Sequence, residues 1–111
     1  MRRYTALRPS AGTRIPYPMR LRVLRRDRGC VGFQRFPGDC LGPLELDHVR
    51  ASHATGRKSL TCDCNLVAMC GSHHRYKTEH GRRARPILLD YLSTFEYDED
   101  EAHSVIDESL A

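Results

Sequence analysis

Asn65-Leu-Val-Ala-Met-Cys70-Gly-Ser-His73-His74-Arg-Tyr-Lys77-Thr-Glu79 is the stretch on which the reading of this chain turns. It gathers an amide, a thiol, two adjacent imidazoles and an ammonium. Upstream lies a second short signature, Leu44-Glu-Leu-Asp47-His48-Val49. Its apolar/polar alternation reads as a short strand. Residues 65 to about 80 read as a short strand or turn followed by a helix. Successive strand residues point to opposite faces, so Asp47 and His48 share one site only if the strand ends or bends there.

Outward from these two signatures the chain is less regular. Residues 19–28 suit a short helix with Leu21, Leu24 and Val23 inward, Arg outward and Gly29 as its stop. Residues 1–18 hold Pro9, Pro16 and Pro18 without a period and read as a disordered basic arm, either lying along phosphates or acting as a solubilising leader. Cys30 and Cys40 bracket a loop with a Pro37-Gly38 turn signal. Residues 50–64 read as a long polar loop in which Arg50, Arg57 and Lys58 are available for phosphate. Pro86 reads as the opening residue of a helix whose Leu88, Leu89, Leu92 and Phe95 form a core stripe. Residues 96–111 form an acidic, disordered tail, so residues 19–95 are the expected domain.

A chain of 111 residues is one domain by size. Hydrophobic residues are 40% and Trp is absent, so the core is small and calls for a disulfide, metal or partner as a staple. The five cysteines are an odd number. Met1-Arg-Arg-Tyr-Thr-Ala-Leu-Arg-Pro9 lacks the apolar run of a secretory leader, and no stretch has the length of a membrane span. A cytoplasmic location is expected, where Cys interspersed with His points to metal.

The net charge of +4 conceals an asymmetry. Residues 1–28 carry nine Arg and one Asp, while residues 96–111 carry seven carboxylates and no Lys or Arg. Residues 1–95 therefore stand at +11. Arg supplies all the positive charges except Lys58 and Lys77. Such a body suits a polyanion, and Arg suits bidentate phosphate contact.

The ligand-type residues divide into two sets. Cys30, Cys40, Cys70 and His73 make a closed four-ligand shell suited to structural zinc. Cys62 and Cys64 are competing thiols, although the single residue between them is awkward for a tetrahedral knuckle. Asp47 and His74 offer a hard oxygen and an imidazole, leaving open positions as a catalytic ion requires. His48 is then free to act as general base, with the Asn65 amide to orient it.

Asp47-His48-Val49 followed by Asn65-Leu-Val-Ala-Met-Cys70-x-x-His73-His74-x-x-Lys77 resembles the HNH endonuclease family, and more narrowly its small stand-alone bacteriophage members. The resemblance covers roughly residues 20–92. It implies a small α+β fold with a ββα-metal (His-Me finger) core, a zinc knuckle and flanking helices. It implies hydrolysis of phosphodiester bonds in double-stranded DNA with a catalytic Mg²⁺, Mn²⁺, Ni²⁺ or Zn²⁺. Asp47 and His74 match the metal ligands, His48 the general base and Asn65 the central Asn, which in the family either orients the base or binds metal. Lys77 matches a basic residue that contacts phosphate, and Arg75 is read with it. The partners implied are DNA and, for a phage protein in a bacterial cytoplasm, packaging proteins. His73 stands where the family carries a second knuckle Cys, so a one-residue slip would exchange the roles of His73 and His74. The competing reading is a zinc-knuckle module that binds nucleic acid without cutting it; it has no use for Asp47, His48 and Asn65.

Overall fold

The computed structural model describes residues 2–3, 14–50 and 61–97. Most of the expected arm, the loop 51–60 with Arg57 and Lys58, and the tail from 98 onward lie outside the described residues. The architecture is α+β. Strand β1 (Arg2–Arg3) is followed by helix α1 (Tyr17–Asp27), strand β2 (Leu44–His48), a 3-10 turn (Asp63–Asn65) and strand β3 (Leu66–Cys70). Helices α2 (Gly71–Glu79) and α3 (Gly81–Leu92) and strand β4 (Phe95–Glu96) complete the order. No helix among the described residues is long and apolar enough to cross a membrane.

β2 and β3 pair antiparallel, with Leu44 opposite Cys70, Asp47 opposite Val67 and His48 opposite Leu66. β3, Leu-Val-Ala-Met-Cys, is buried along its whole length. Its apolar run suits a strand covered on both faces. Leu66 joins Met19 and Val23 of α1 on one side. Val67 and Met69 join Val31, Phe36, Val49, Ala84, Leu88 and Leu92 on the other. α2 starts directly where β3 stops, so hairpin and helix form one continuous unit.

Helix α1 differs from expectation in its inner face, which is Met19, Val23 and Arg26 rather than Leu21 and Leu24. The i, i+4, i+7 spacing of the buried residues is as helical as the expected one. The sequence conceals it because Arg26 is buried by hydrogen bonding. Its guanidinium donates to the carbonyls of Asp63, at 2.6 Å, and Leu66. It also contacts Asp27. Asp27 in turn accepts from the backbone N–H of Ala68 at 2.8 Å and the Tyr91 hydroxyl at 2.6 Å. Burial and this carboxylate push the Tyr91 hydroxyl up from its ordinary value, keeping it a donor. The helix ends as Arg28 turns left-handed, with φ of 59°, one residue before the expected glycine stop.

Helix α3 starts at Gly81, so Pro86 lies inside it and does not open it. Proline removes the bond to the carbonyl four residues back. Here Pro86 and Arg82 are both exposed residues of α3. Ala84, Leu88 and Leu92 form the buried stripe, and Phe95 is buried beyond it. β4 pairs in parallel with β1, joining the start of the arm to the end of the domain.

Candidate functional site

The fold brings Cys30, Cys40, Cys70 and His73 together, with one ligand atom from each lying within 4.8 Å of all the others. His73 Nδ1 stands 3.3 Å from Cys30 Sγ, 3.6 Å from Cys40 Sγ and 3.3 Å from Cys70 Sγ. Sulfur and nitrogen ligands on one tetrahedral zinc, at bond lengths of about 2.3 and 2.0–2.1 Å, stand about 3.5 Å apart. The set is thus compatible with zinc. The other ring nitrogen, Nε2, donates to the Gly38 carbonyl at 2.9 Å, which leaves Nδ1 as the lone pair facing the sulfurs. The Cys70 N–H donates to Cys30 Sγ at 3.3 Å.

The nine residues between Cys30 and Cys40 are taken up by two turns. The first folds over residues 31–36, and the second uses Gly38 at φ 90°. The first turn lies so close to His73 that a Cβ on Gly32 would meet the His73 Cβ at 2.8 Å. The three thiols do not ionise alike. Burial raises the Cys70 thiol, but hydrogen bonds from Ser72, the His73 and Leu41 backbone and Cys30 outweigh it and draw it down to about 6. Cys40 is pushed up to about 12, by desolvation first and then by the neighbouring Cys70 and Cys30. Three thiols facing one another do not all ionise without a cation to share.

Cys62 and Cys64 take no part in this cluster. They are bonded to each other as a disulfide, which removes the competing quartet and corrects the expectation of metal-only cysteine chemistry.

His73 and His74 diverge, as neighbours on a helix must. His73 turns into the cluster, whereas His74 faces β2. His74 Nε2 is 3.0 Å from Asp47 Oδ1, and Nδ1 is 3.0 Å from Glu45 Oε1. Both are hydrogen bonds only when both ring nitrogens carry protons. Glu45 and Asp47 lie two residues apart, on one face of β2. Asp47 is buried, and its Oδ2 accepts no hydrogen bond although Lys77 Nζ stands 3.2 Å away. Lys77 also donates to the His48 carbonyl at 2.9 Å. Its ammonium is therefore turned inward and largely buried.

His48 is the last residue of β2. Its Nε2 pairs with Thr61 Oγ1 at 2.9 Å. Burial lowers its pKa from the ordinary 6.5; Asp47 opposes the shift and Lys77 adds to it. Both charges of the Asp47–Lys77 pair are thus felt at the ring. The Asn65 side chain holds the strand end through the Arg50 backbone. Its Oδ1 accepts from the Arg50 N–H at 2.9 Å and its Nδ2 donates to the Arg50 carbonyl at 3.1 Å. The Asn65 carbonyl accepts from the Val49 N–H at 2.9 Å. These bonds fix the chain just beyond His48, so Asn65 acts on the imidazole through the backbone.

Arg50 is half-buried and Arg75 is exposed on α2. Arg85, which the sequence did not single out, donates to the Val49 carbonyl at 3.1 Å. Glu45 and Thr61 were also missed. The even spacing of Glu45 and Asp47 was the available signal for the first; Thr61 carried none. Compared with protein-family models, curated proteins and solved structures, the chain matches none.

Proposed function

We propose that this chain is a metal-dependent DNA endonuclease of the HNH kind, its β2–β3–α2 unit serving as a ββα-metal core. One observation carries the reading. The buried Asp47 carboxylate and the His74 ring meet at 3.0 Å, beside the half-buried His48 imidazole, whose pKa burial lowers. A closed structural site does not need that arrangement. Asp47 Oδ1 and the facing His74 Nε2 fit a divalent ion, which Asp47 and His74 would hold. Such an ion would polarise a phosphate and stabilise the leaving oxygen.

The remaining roles belong to the chain itself. Nε2 of His48 pairs with Thr61 Oγ1; in the tautomer that donates to this hydroxyl, Nδ1 carries the lone pair and accepts the proton of an attacking water. Asn65 and Lys77 hold the end of β2 through the Arg50 and His48 backbone. Cys30, Cys40, Cys70 and His73 hold a structural zinc that fixes the junction of β3 and α2. Arg50 and Arg75, with Arg57 and Lys58, supply phosphate contacts.

Supercoiled plasmid incubated with the purified protein and Mg²⁺, Mn²⁺ or Ni²⁺ converts to open-circle or linear form. His48→Ala removes this conversion and leaves zinc content and fold unchanged. A variant that cuts like wild type would remove His48 from the mechanism. DNA binding without any cutting across the metal series would favour the non-catalytic zinc module.

A further inference from the structure

We infer that Glu45 is a positioning residue that holds the His74 ring by Nδ1, so that Nε2 is presented toward Asp47 and a divalent metal. The inference rests on the reading of Asp47 and His74 as the metal pair. It goes beyond that reading by assigning a role to a carboxylate that no motif marks.

Three observations converge on Glu45. First, its Oε1 lies 3.0 Å from His74 Nδ1, while Asp47 Oδ1 lies 3.0 Å from Nε2. The two carboxylates therefore address different nitrogens of one ring, and a single ion at the Asp47 edge does not reach that Glu45 oxygen. Second, the two differ in exposure: the Asp47 side chain is 8% exposed and that of Glu45 45%. The buried acid faces Nε2 with one oxygen and pairs with Lys77 through the other, and the open acid stands behind the ring.

Third, the Glu45 carboxylate is seated at the start of α2. A Cβ on Gly71 would come 3.1 Å from Glu45 Oε2, so glycine leaves room for it. The partial positive charge at a helix start favours negative charge nearby. α2 has no acidic residue in its own first turn, so the strand supplies one. A carboxylate bonded to the distal nitrogen of a ligating histidine fixes tautomer and ring orientation and raises ligand basicity.

The test uses the full chain as purified, titrated with Mn²⁺ by calorimetry and by loss of the free-ion paramagnetic resonance signal. Wild type, Glu45→Ala, Glu45→Gln and His74→Ala are compared, with zinc content and thermal midpoint as controls. Glu45→Ala weakens Mn²⁺ binding about 10- to 100-fold with zinc and midpoint unchanged. Glu45→Gln keeps most of the affinity, because its amide oxygen still accepts from Nδ1–H. Nitrogen-15 spectra show the Nδ1–H tautomer of His74 in wild type and a tautomer mixture in Glu45→Ala.

If Glu45→Ala binds Mn²⁺ like wild type while His74→Ala does not, the positioning role is overturned and the metal pair stands. If Glu45→Gln falls to the level of Glu45→Ala, charge or direct ligation is the cause, and the hydrogen-bond role is overturned. A wild-type chain that takes up no Mn²⁺ overturns both readings.

Discussion

His48 loses water at the end of β2, and that loss outweighs the nearby Asp47 charge. The pH dependence follows with a definite sign. A general base works in its neutral form, and the folded pKa lies below 6.5, so cleavage rises through a midpoint below 6.5 and is flat above it. A rate profile with its acid limb above 6.5 would contradict this. Asn65→Ala leaves the Arg50 N–H and carbonyl without their side-chain partner. A buried polar group left unpaired costs about 1–3 kcal/mol, which denaturant titration detects. Asn65→Asp recovers part of the loss, since a carboxylate accepts from the N–H but does not donate to the carbonyl. The importance of Asn65 was legible in the sequence; its means of action was not. An amide that holds a ring and one that holds a backbone are the same letter, and only the fold shows that Arg50 lies within reach.

The hairpin and α2 form the unit on which both clusters depend, because β3 ends at one ligand, Cys70, and α2 carries His73 and His74. Cys70→Ser removes a buried ligand and half of the link between strand and helix. Structural zinc contributes roughly 10–16 kcal/mol of apparent binding free energy in small domains, as much as a typical domain's whole stability of about 5–15 kcal/mol. Cys70→Ser therefore loses its zinc and unfolds, as read by metal analysis and circular dichroism. His73→Cys keeps about one zinc per chain, because thiolate replaces imidazole in the same tetrahedral set. Gly32→Ala weakens zinc retention by driving a methyl against the His73 ring. β2, β3 and the Cys/His quartet were legible, from the alternation of β2, the strand-then-helix reading of residues 65–80 and ligand chemistry, whereas β1 falls in the expected arm and β4 at the junction of the expected helix and tail. The inner face of α1, the internal Pro86 and the Cys62–Cys64 bond were not. The first depends on backbone carbonyls that folding brings to Arg26, Pro86 lies on an exposed side of α3, and Cys62 bonds a thiol only two residues away.

At the scale of the whole molecule, charge separates a basic body from an acidic end. Residues 98–111 carry six carboxylates and no Lys or Arg, so a chain without them stands at +10 instead of +4. Binding to DNA releases counterions in proportion to the phosphates neutralised. Deleting 98–111 therefore tightens non-specific duplex binding at low salt, and a salt titration by fluorescence anisotropy reads the change. A deletion that left affinity unaltered at every salt concentration would remove the tail from the electrostatics of binding. The body itself carries two side-chain clusters on one hairpin and helix, and adjacent histidines divide them. His74→Ala tests that division most directly, with zinc content and plasmid cleavage measured on the same preparation. The expected variant holds about one zinc per chain, keeps its fold and cuts no plasmid. A His74→Ala protein that loses its zinc, or that retains zinc and still cuts, would contradict the assignment of His73 to the fold and His74 to the chemistry.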